Sequence, residues 1–579
     1  MINSAMKVVL LFVICVFGAE SSGSTQPNII IIVTDDLGWN DVSFHGSLQI
    51  PTPNIDALAY NGIILNRHYT PPLCTPSRAS LMTGKHPINI GMQHHVIVSD
   101  EPWGLGLDQK LMPEYFRDAG YSTHLVGKWH LGFYRKAYTP TRRGFDSHFG
   151  YVGPYIDYWD HSLQMHNTST RGLDMRQNLE VNYKVNGTYA TDLFNAEATR
   201  LIREHNRSKP LMLVLTHLAP HTGNEDDPMQ APAEEIEKFS YIKNPQRRVL
   251  AAMISKVDDG VGQIVQTLKE RDMLDHSIIL FLADNGAPSL GTHSNSGSNY
   301  PLRGQKYSPW EGAVRTVAAI WSPLLKSSGR VSNQWIHVSD WLPTLAFAAG
   351  VKGIPIVSEI DGQNQWGALQ NPEVAGRSIV MNNIDQLHHY SSYARDGWKY
   401  VNGTSWDGMY DHWLGSLDRE DELSEEEYVI KLIGSTVATI MPIDMENVSR
   451  LRRAATVECN RHPENACNPR QSACLFNLFS DPCERNNVAS KHVDILETLR
   501  EEVQRYSLRA VKPRNKPGDS RSDPAYFNNT WTWWEDELDR IDDIRFLIAI
   551  GIISVTAVTL LLVVMKRIVC PTDNEYIYK

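Results

Sequence analysis

Cysteine is scarce in this chain. Seven occur in 579 residues, and none lies between Cys74 and Cys459. A disulfide-stapled scaffold is therefore excluded for the bulk of the sequence. A surplus of positive charge is missing too. Lys and Arg number 55 against 66 acids, a formal net charge of −11, which gives no general attraction to nucleic acid. Much of the acid is local, in "DREDELSEEE" (Asp418–Glu427) and "EDELDRIDD" (Glu535–Asp543), both read as solvated faces. Internal repeats are absent, and long apolar runs are confined to the two ends. With 42% hydrophobic and 21% charged residues, the remainder has the composition of a globular protein.

The ends read as targeting segments. Residues 1–19 have the form of a signal peptide, with Lys7 before the apolar Val8–Phe17 and the small residues Gly18 and Ala19 at a cleavage point. Six N-x-S/T sequons, at Asn167, Asn186, Asn206, Asn402, Asn447 and Asn528, agree with a secretory route. Residues 546–565, "FLIAIGIISVTAVTLLLVVM", carry no charge and are long enough to span a bilayer. Lys566-Arg567 follow directly, which places residues 566–579 in the cytosol. The expectation is a single-pass type I membrane protein, at the cell surface or in the endolysosomal system. Fourteen further residues after the span exclude a GPI signal. Cys15 leaves with the signal, and Cys570 is a palmitoylation site or a free thiol. Cys459, Cys467, Cys474 and Cys483 form an even cluster, expected to make two disulfides with all three pairings open. Cys74 is left alone.

Between the ends, "NIIIIVTDD" (Asn28–Asp36) reads as a buried parallel strand ending in two acids. "YSTHLVGKWH" (Tyr121–His130), "PLMLVLTHLAPH" (Pro210–His221) and "SIILFLADNG" (Ser277–Gly286) repeat the pattern, each running into polar or ionisable residues. Helical periodicity, as in Arg248–Arg271, lies between them. Alternating strand and helix predicts an α/β sheet covered by helices over residues 26–381. The polar residues should then meet at the carboxyl edge, where such sheets bind ligands. Residues 382–510 read as a smaller C-terminal α+β subdomain, with a hairpin turn at Asn402-Gly403 and a helix over Val493–Tyr506. Residues 511–545 form a juxtamembrane stem. Its "WTWWEDE" (Trp531–Glu537) either anchors at the membrane interface or packs back on the domain.

Asp35, Asp36, Asp284 and Asn285 put four hard oxygen donors at two strand ends, a set suited to calcium or magnesium. Lys128, His130, His221, Arg303 and Lys306 are cations that, gathered beside a metal, would hold a tetrahedral oxyanion. His124, His148 and His217 are read as surface or core filler.

"CTPSRASLMTGK" matches the signature of the sulfatases, C-x-P-S-R with a spaced T-G-R/K. "GKWHLG", "DNG", "TRRGFDSHFGY", "PLRGQKYSPWEGAVR", "HVSDWLPTL" and "LFNLFSDPCERNNVA" occur in the family's order. Over roughly Pro27 to Trp534 the chain resembles the sulfatase family, arylsulfatase B and its close relatives in particular. The resemblance implies an alkaline-phosphatase-like fold with a large mixed, mostly parallel sheet. It implies a calcium-dependent sulfuric ester hydrolase in which Cys74 is converted to formylglycine by the formylglycine-generating enzyme, which reads C-x-P-S-R. The hydrated aldehyde is then the nucleophile, and sulfate leaves as the aldehyde re-forms. By the same resemblance Asp35, Asp36, Asp284, Asn285 and the modified Cys74 match the calcium ligands. Arg78 and His130 match residues that orient the diol, Lys128 and Lys306 those that hold sulfate oxygens, and His221 the proton donor to the leaving oxygen. The implied substrates are sulfated galactosamine residues of chondroitin or dermatan sulfate. The alternatives are another aryl or glycolipid sulfate ester, or an inactive receptor for sulfated glycans. A related metal phosphatase would carry Ser or Thr at position 74. The chain departs from the family in lacking cysteines between Cys74 and Cys459, and in its membrane span.

Overall fold

The structure, a computed structural model, describes residues 26–354, 359–415, 421–459 and 465–569. The expected signal segment, Cys570 and the tail beyond it lie outside the described residues.

A ten-stranded sheet organises the larger part. Its strands are β1 (Asn28–Thr34), β2 (Ile63–Leu65), β3 (Ser122–Lys128), β4 (Ser147–Tyr151), β5 (Arg176–Gln177), β6 (Glu180–Val181), β7 (Leu211–Thr216), β8 (Ser277–Ala283), β9 (Ala318–Trp321) and β10 (Arg330–Ser332). They lie in the order β10-β2-β9-β8-β1-β7-β3-β4-β5-β6. The five strands from β8 to β4 are mutually parallel, with Ile31 paired to Leu280 on one side and Val214 on the other. Pairings towards both edges include antiparallel ones, so the sheet is mixed and mostly parallel at its centre. Ile29–Ile32 are wholly buried, because a central strand is covered on both faces and β-branched side chains pack well there. Since the central strands are parallel, Asp35-Asp36, Lys128 with His130, and Asp284-Asn285 all emerge at one edge.

Helices α1 (Pro53–Asn61), α2 (Cys74–Thr83), α3 (Ala190–Glu204) and α4 (Pro245–Glu270) pack on the sheet. The side chain of Asn244 caps α4 by accepting from the Gln246 and Arg247 amides, and Pro245 occupies the first helical position, where no amide is needed. Within α4, buried Asp258 accepts from the amides of Asn54 and Ile55 at the start of α1 (3.1 and 2.8 Å) and from Asn54 Nδ2 (2.9 Å). Burial outweighs these bonds and pushes its carboxyl up to about 8. The folded chain therefore holds a proton at Asp258 that the unfolded chain has already lost at neutral pH. Its stabilising contribution is present in full below the unfolded pKa and is lost as pH rises towards 8. Unfolded-state histidines lose their last protons over the same interval and act in the opposite sense, so the comparison is between two chains. The Tm of Asp258→Asn, which mimics the protonated acid, is expected to gain on that of the parent chain as pH rises from 6.5 to 9. A Tm difference that stays constant over that interval would contradict this.

The C-terminal residues form a second, antiparallel sheet of β11 (Ile379–Asp385), β12 (Tyr390–Arg395), β13 (Trp398–Asn402) and β14 (Cys474–Asn477). Helix α5 (Val493–Arg509) covers it, with Leu499 and Val503 in a common core with Tyr393, Tyr400 and Leu475. The hairpin turn between β12 and β13 is Asp396-Gly397, not the expected Asn402-Gly403. Both turn residues have positive φ (51° and 87°), as a two-residue hairpin with right-twisted strands requires. Gly403 instead follows β13 and donates to the Pro469 carbonyl. The disulfides are Cys459–Cys483 and Cys467–Cys474, which resolves the three open pairings.

The stem tryptophans pack back on the larger part. Trp531 and Trp534 are fully buried, with Trp531 Nε1 donating to the Leu163 carbonyl at 2.9 Å. Helix α6 runs from Trp534 to Val569, 36 residues. Its first turns are tied down by Arg135, which pairs with Glu535, Asp536 and Asp539 at 2.6, 3.3 and 2.9 Å. Arg135 thus engages Glu535, Asp536 and Asp539, while Asp539, Asp542 and Asp543 stay exposed, as expected of a solvated face. At ~1.5 Å per residue α6 is ~54 Å long, well beyond the ~30 Å of a bilayer core. The charged turns before Phe546 and the last turn with Lys566 and Arg567 account for the excess, and the uncharged residues 546–565 between them are long and apolar enough to span a membrane.

Candidate active site

Cys74 opens α2. Leu73 before it is extended, and every residue of the helix is buried. Pro76 sits in the first turn, where its missing amide costs nothing. Ser77 Oγ ties the helix start back to the Pro71 carbonyl (3.1 Å), and Thr75 Oγ1 donates to the His130 carbonyl (3.2 Å). The motif "CTPSR" is thus held rigidly against the edge where β3 ends. Among the described residues Cys74 is the free cysteine. Burial pushes its thiol up, against the opposing pull of Lys128 and Lys306.

The predicted acids and cations converge beneath it. Arg78 donates through Nε and Nη2 to Asp284 Oδ2 (3.1 and 2.9 Å) and reaches the Lys128 carbonyl (3.3 Å). Lys128 Nζ lies 2.5 Å from Asp35 Oδ2, and Lys306 Nζ lies 2.7 and 2.8 Å from the two oxygens of Asp36. Asn285 Nδ2 donates to Asp36 Oδ1 at 2.6 Å, and His221 Nε2 is 3.5 Å from Asp36 Oδ2. All of these side chains are buried. Several backbones here are left-handed, with φ of 65° at Asp36, 59° at His130 and 80° at Tyr307. Such conformations cost roughly 1–3 kcal/mol each and concentrate at functional sites.

Electrostatically the cradle is crowded. Burial raises the Asp35 carboxyl, but Lys128, then His221, Arg78 and Lys306 outweigh it and hold it below the usual carboxylate range. Burial and the charge of Asp35 push Asp284 up to about 7, and burial raises Asp36 against the pull of Lys306. One donor atom each of Asp35, Cys74 and Asp284 lies within 4.8 Å of the others, and the same holds for Asp35, Asp36 and His221. Asp35 Oδ1 and Asn285 Oδ1 are buried with no hydrogen-bond partner. Three mutually repelling carboxyls and two orphaned hard oxygens are what a divalent cation with oxygen preference would relieve. The residues present fit calcium.

The two histidines present defined faces. His221 Nδ1 lies 2.7 Å from the Thr222 carbonyl and so carries the proton, leaving Nε2 towards the cradle. His130 Nε2 donates to the Ile97 carbonyl (2.9 Å), leaving Nδ1 without a partner. Burial, reinforced by nearby lysines, pushes both imidazoles well below their ordinary value.

Above Cys74 opens a cavity of ≈ 450 Å³, lined by Cys74, His130, His221 and Lys306 and walled by aromatic and histidine side chains. Tyr155 stacks on His221 (5.7 Å between ring centres), and His293 packs against both. Tyr307, Tyr410 and Trp406 complete the wall. Of these wall residues Tyr307 falls within "PLRGQKYSPWEGAVR", a stretch the sequence singled out; the others are single residues in turn-rich segments that carried no signal. Arg303 does not join the site. Its guanidinium lies 3.4 Å over the Trp310 ring, and Nε donates to the Asp411 carbonyl. His124, His148 and His217 do not line the cavity, in keeping with their reading as filler.

A parallel α/β sheet whose carboxyl edge gathers three acids, two lysines, an arginine and a candidate nucleophile under an open cavity defines a hydrolase of oxyanion esters. Residues 27–351 match the sulfatase family profile, more than half of the chain. Arylsulfatase J of Mus musculus is 34% identical over 523 residues, covering 90% of this chain and 82% of that protein. N-acetylgalactosamine-6-sulfatase of Homo sapiens is 30% identical over 383 residues, covering 64% of this chain and 71% of that protein. The crystal structure of Ps i-CgsB in complex with k-i-k-neocarrahexaose superposes with a TM-score of 0.66 at 26% identity, covering 90% of this chain and 99% of that one. The chain belongs to the sulfatase family and is a sulfuric ester hydrolase.

Proposed function

We propose that the chain is a calcium-dependent, formylglycine-bearing sulfatase acting on sulfated galactosamine residues of chondroitin or dermatan sulfate. One observation carries the reading: Cys74, in a complete C-x-P-S-R, is buried and unpaired within reach of Asp35 and Asp284. The relatives named N-acetylgalactosamine-6-sulfatase, and the structural neighbour solved in complex with k-i-k-neocarrahexaose, support a glycan substrate. The aromatic walls suit a sugar ring, whose apolar face packs on such side chains.

Asp35, Asp36, Asp284, Asn285 and the modified Cys74 would hold the calcium, whose charge would polarise the sulfate and steady the nucleophile. The formylglycine, as its hydrate, would supply the attacking oxygen. Lys128 and Lys306 meet the negative oxygens of the sulfate from two sides of the cradle. Arg78, locked on Asp284 and the Lys128 carbonyl, and His130, with Nδ1 free, orient the nucleophile at the start of α2. His221 keeps Nδ1–H on the Thr222 carbonyl, so Nε2 is bare in the neutral ring; it would pass a proton to the departing oxygen only after taking one up, which the negative charge of a bound sulfate ester beside it would favour. The closed packing of α2 excludes water from beneath the reacting group.

The aromatic wall also favours a second reading, an aryl or glycolipid sulfate, because it offers an apolar surface to any ring. Sulfate release from a panel of defined sulfated oligosaccharides and aryl sulfates separates the two. Galactosamine sulfates are expected to give the highest kcat/KM. A preference for aryl sulfates by an order of magnitude would overturn the glycan assignment.

The same reading makes the chain a type I membrane protein of the secretory pathway, with the catalytic body lumenal or extracellular. Truncation before Arg545 keeps Glu535, Asp536 and Asp539 on Arg135, so secreted protein with full activity is expected in the medium of expressing cells. Retention of the truncated chain in membranes would contradict the anchor.

A further inference from the structure

Two histidine pairs far apart in sequence, His94-His95 and His388-His389, meet at the rim of the active-site cavity. His94, Asp385 and His388 each place one donor atom within 4.8 Å of the others. We propose that these three residues form a transition-metal site, best suited to zinc, that clips one wall of the cavity together.

The donor chemistry differs from that of the catalytic cradle. Two imidazoles and one carboxylate are a borderline ligand set preferred by zinc, whereas the cradle is built of hard oxygens. The carboxylate is held in place. Asp385 ends β11, and its Oδ1 accepts the amides of Leu387 and His388 at 2.9 and 3.0 Å. Its side chain is 2% exposed and lies 2.9 Å from His94 Nδ1. The two segments are pinned beside the cluster by Asn383 Nδ2 on the Gln93 carbonyl and by Gln93 Nε2 on Gln386 Oε1, both 3.0 Å. The second histidine of each pair is left-handed, with φ of 51° at His95 and 55° at His389, a conformation that is unfavourable for a residue with a Cβ.

A simple ion pair needs one histidine for one carboxylate. Here a second imidazole, His388, stands 4.9 Å from His94 between ring centres. Two protonated imidazoles at that spacing would repel, while a cation that accepts a lone pair from each ring binds both. Three protein ligands leave a fourth position for water. The site touches the cavity through its neighbours: His388 and His95 both pack on Trp406, and His95 and Trp406 line the cavity. A bound cation would fix the Gln93–Val96 segment against the β11–β12 turn, and with it the wall that meets the substrate beyond its sulfate. This assignment is independent of which sulfate ester the enzyme prefers.

The test uses the full-length protein in detergent with saturating calcium, to which Zn²⁺ or Co²⁺ alone is added. One zinc per chain is expected to survive dialysis, and Co²⁺ to give the intense visible bands of a tetrahedral site. His94→Gln and His388→Gln should weaken retention by ~10–100-fold, while Asp36→Ala, which alters the catalytic cradle, should retain the zinc. Should the histidine variants not unfold cooperatively, carbethoxylation of the parent protein decides the matter: zinc is expected to protect His94 and His388. Zinc retained by both histidine variants but lost from Asp36→Ala would overturn the proposal. So would equal modification of His94 and His388 with and without zinc.

Discussion

Cys74→Ser is expected to fold, reach the membrane and lose about 10⁶-fold in turnover, the scale seen when a hydrolase loses its nucleophilic machinery. Serine keeps one hydroxyl in the place where the hydrate of formylglycine offers two. It can therefore attack sulfur but has no second hydroxyl from which to expel the sulfate. The variant should accumulate a sulfate ester on the introduced serine, visible as a sulfate-sized mass increase on the peptide that contains it. Unaided ester hydrolysis of this kind is slow, and phosphate monoesters require up to ~10²¹-fold acceleration, so no background reaction will hide the loss. Because Cys74 is buried at the start of α2 and pairs with no other cysteine, the substitution removes little packing and no disulfide. A Cys74→Ser enzyme within tenfold of the parent would refute the proposed nucleophile.

The second large effect concerns the acids. Asp36→Ala and Asp284→Ala are each expected to lower turnover by at least ~10³-fold, since each removes one hard ligand and unbalances the cations beside it. Asp36 is the carboxylate facing Lys306 on both oxygens, and Asp284 is the one gripped by Arg78. A buried cation left without its partner costs ~3–5 kcal/mol of stability, so yields should drop as well. The amide variants Asp36→Asn and Asp284→Asn keep the shape and separate the two effects: stability should recover in part, activity should not. Removal of calcium by a chelator from the parent enzyme should mimic the loss, and calcium should restore it. Near-normal activity in both alanine variants would contradict the ligand assignment.

The parallel core was legible because a strand buried on both faces has to be a continuous apolar run, and Ile29–Ile32 admit little else. The acids and cations after those runs were legible for a related reason, as parallel strands deliver their ends to one edge. Other features depend on contacts between distant segments and leave no local trace. Asp396-Gly397 and Asn402-Gly403 are equally good turn dipeptides, and only the pairing of Arg395 with Trp398 decides which one closes the hairpin. Arg303 stands three residues from Lys306, yet the Trp310 ring draws it away from the cradle. Tyr155, His293 and Trp406 come from three separate loops, so the cavity wall exists only once the chain is folded. The stem tryptophans were ambiguous in sequence because a buried anchor and a membrane anchor need the same side chain. Their burial follows from contacts such as that of Trp531 with Leu163.

The central claim is that residue 74 of the mature protein is formylglycine. The peptide from His68 to Arg78, "HYTPPLCTPSR", isolated by trypsin from fully active enzyme and treated with an alkylating reagent, tests it directly by mass. The peptide is expected to carry an aldehyde in place of the thiol, to resist alkylation and to react with a hydrazide. Quantitative recovery of an alkylated Cys74 from enzyme of full activity would contradict it.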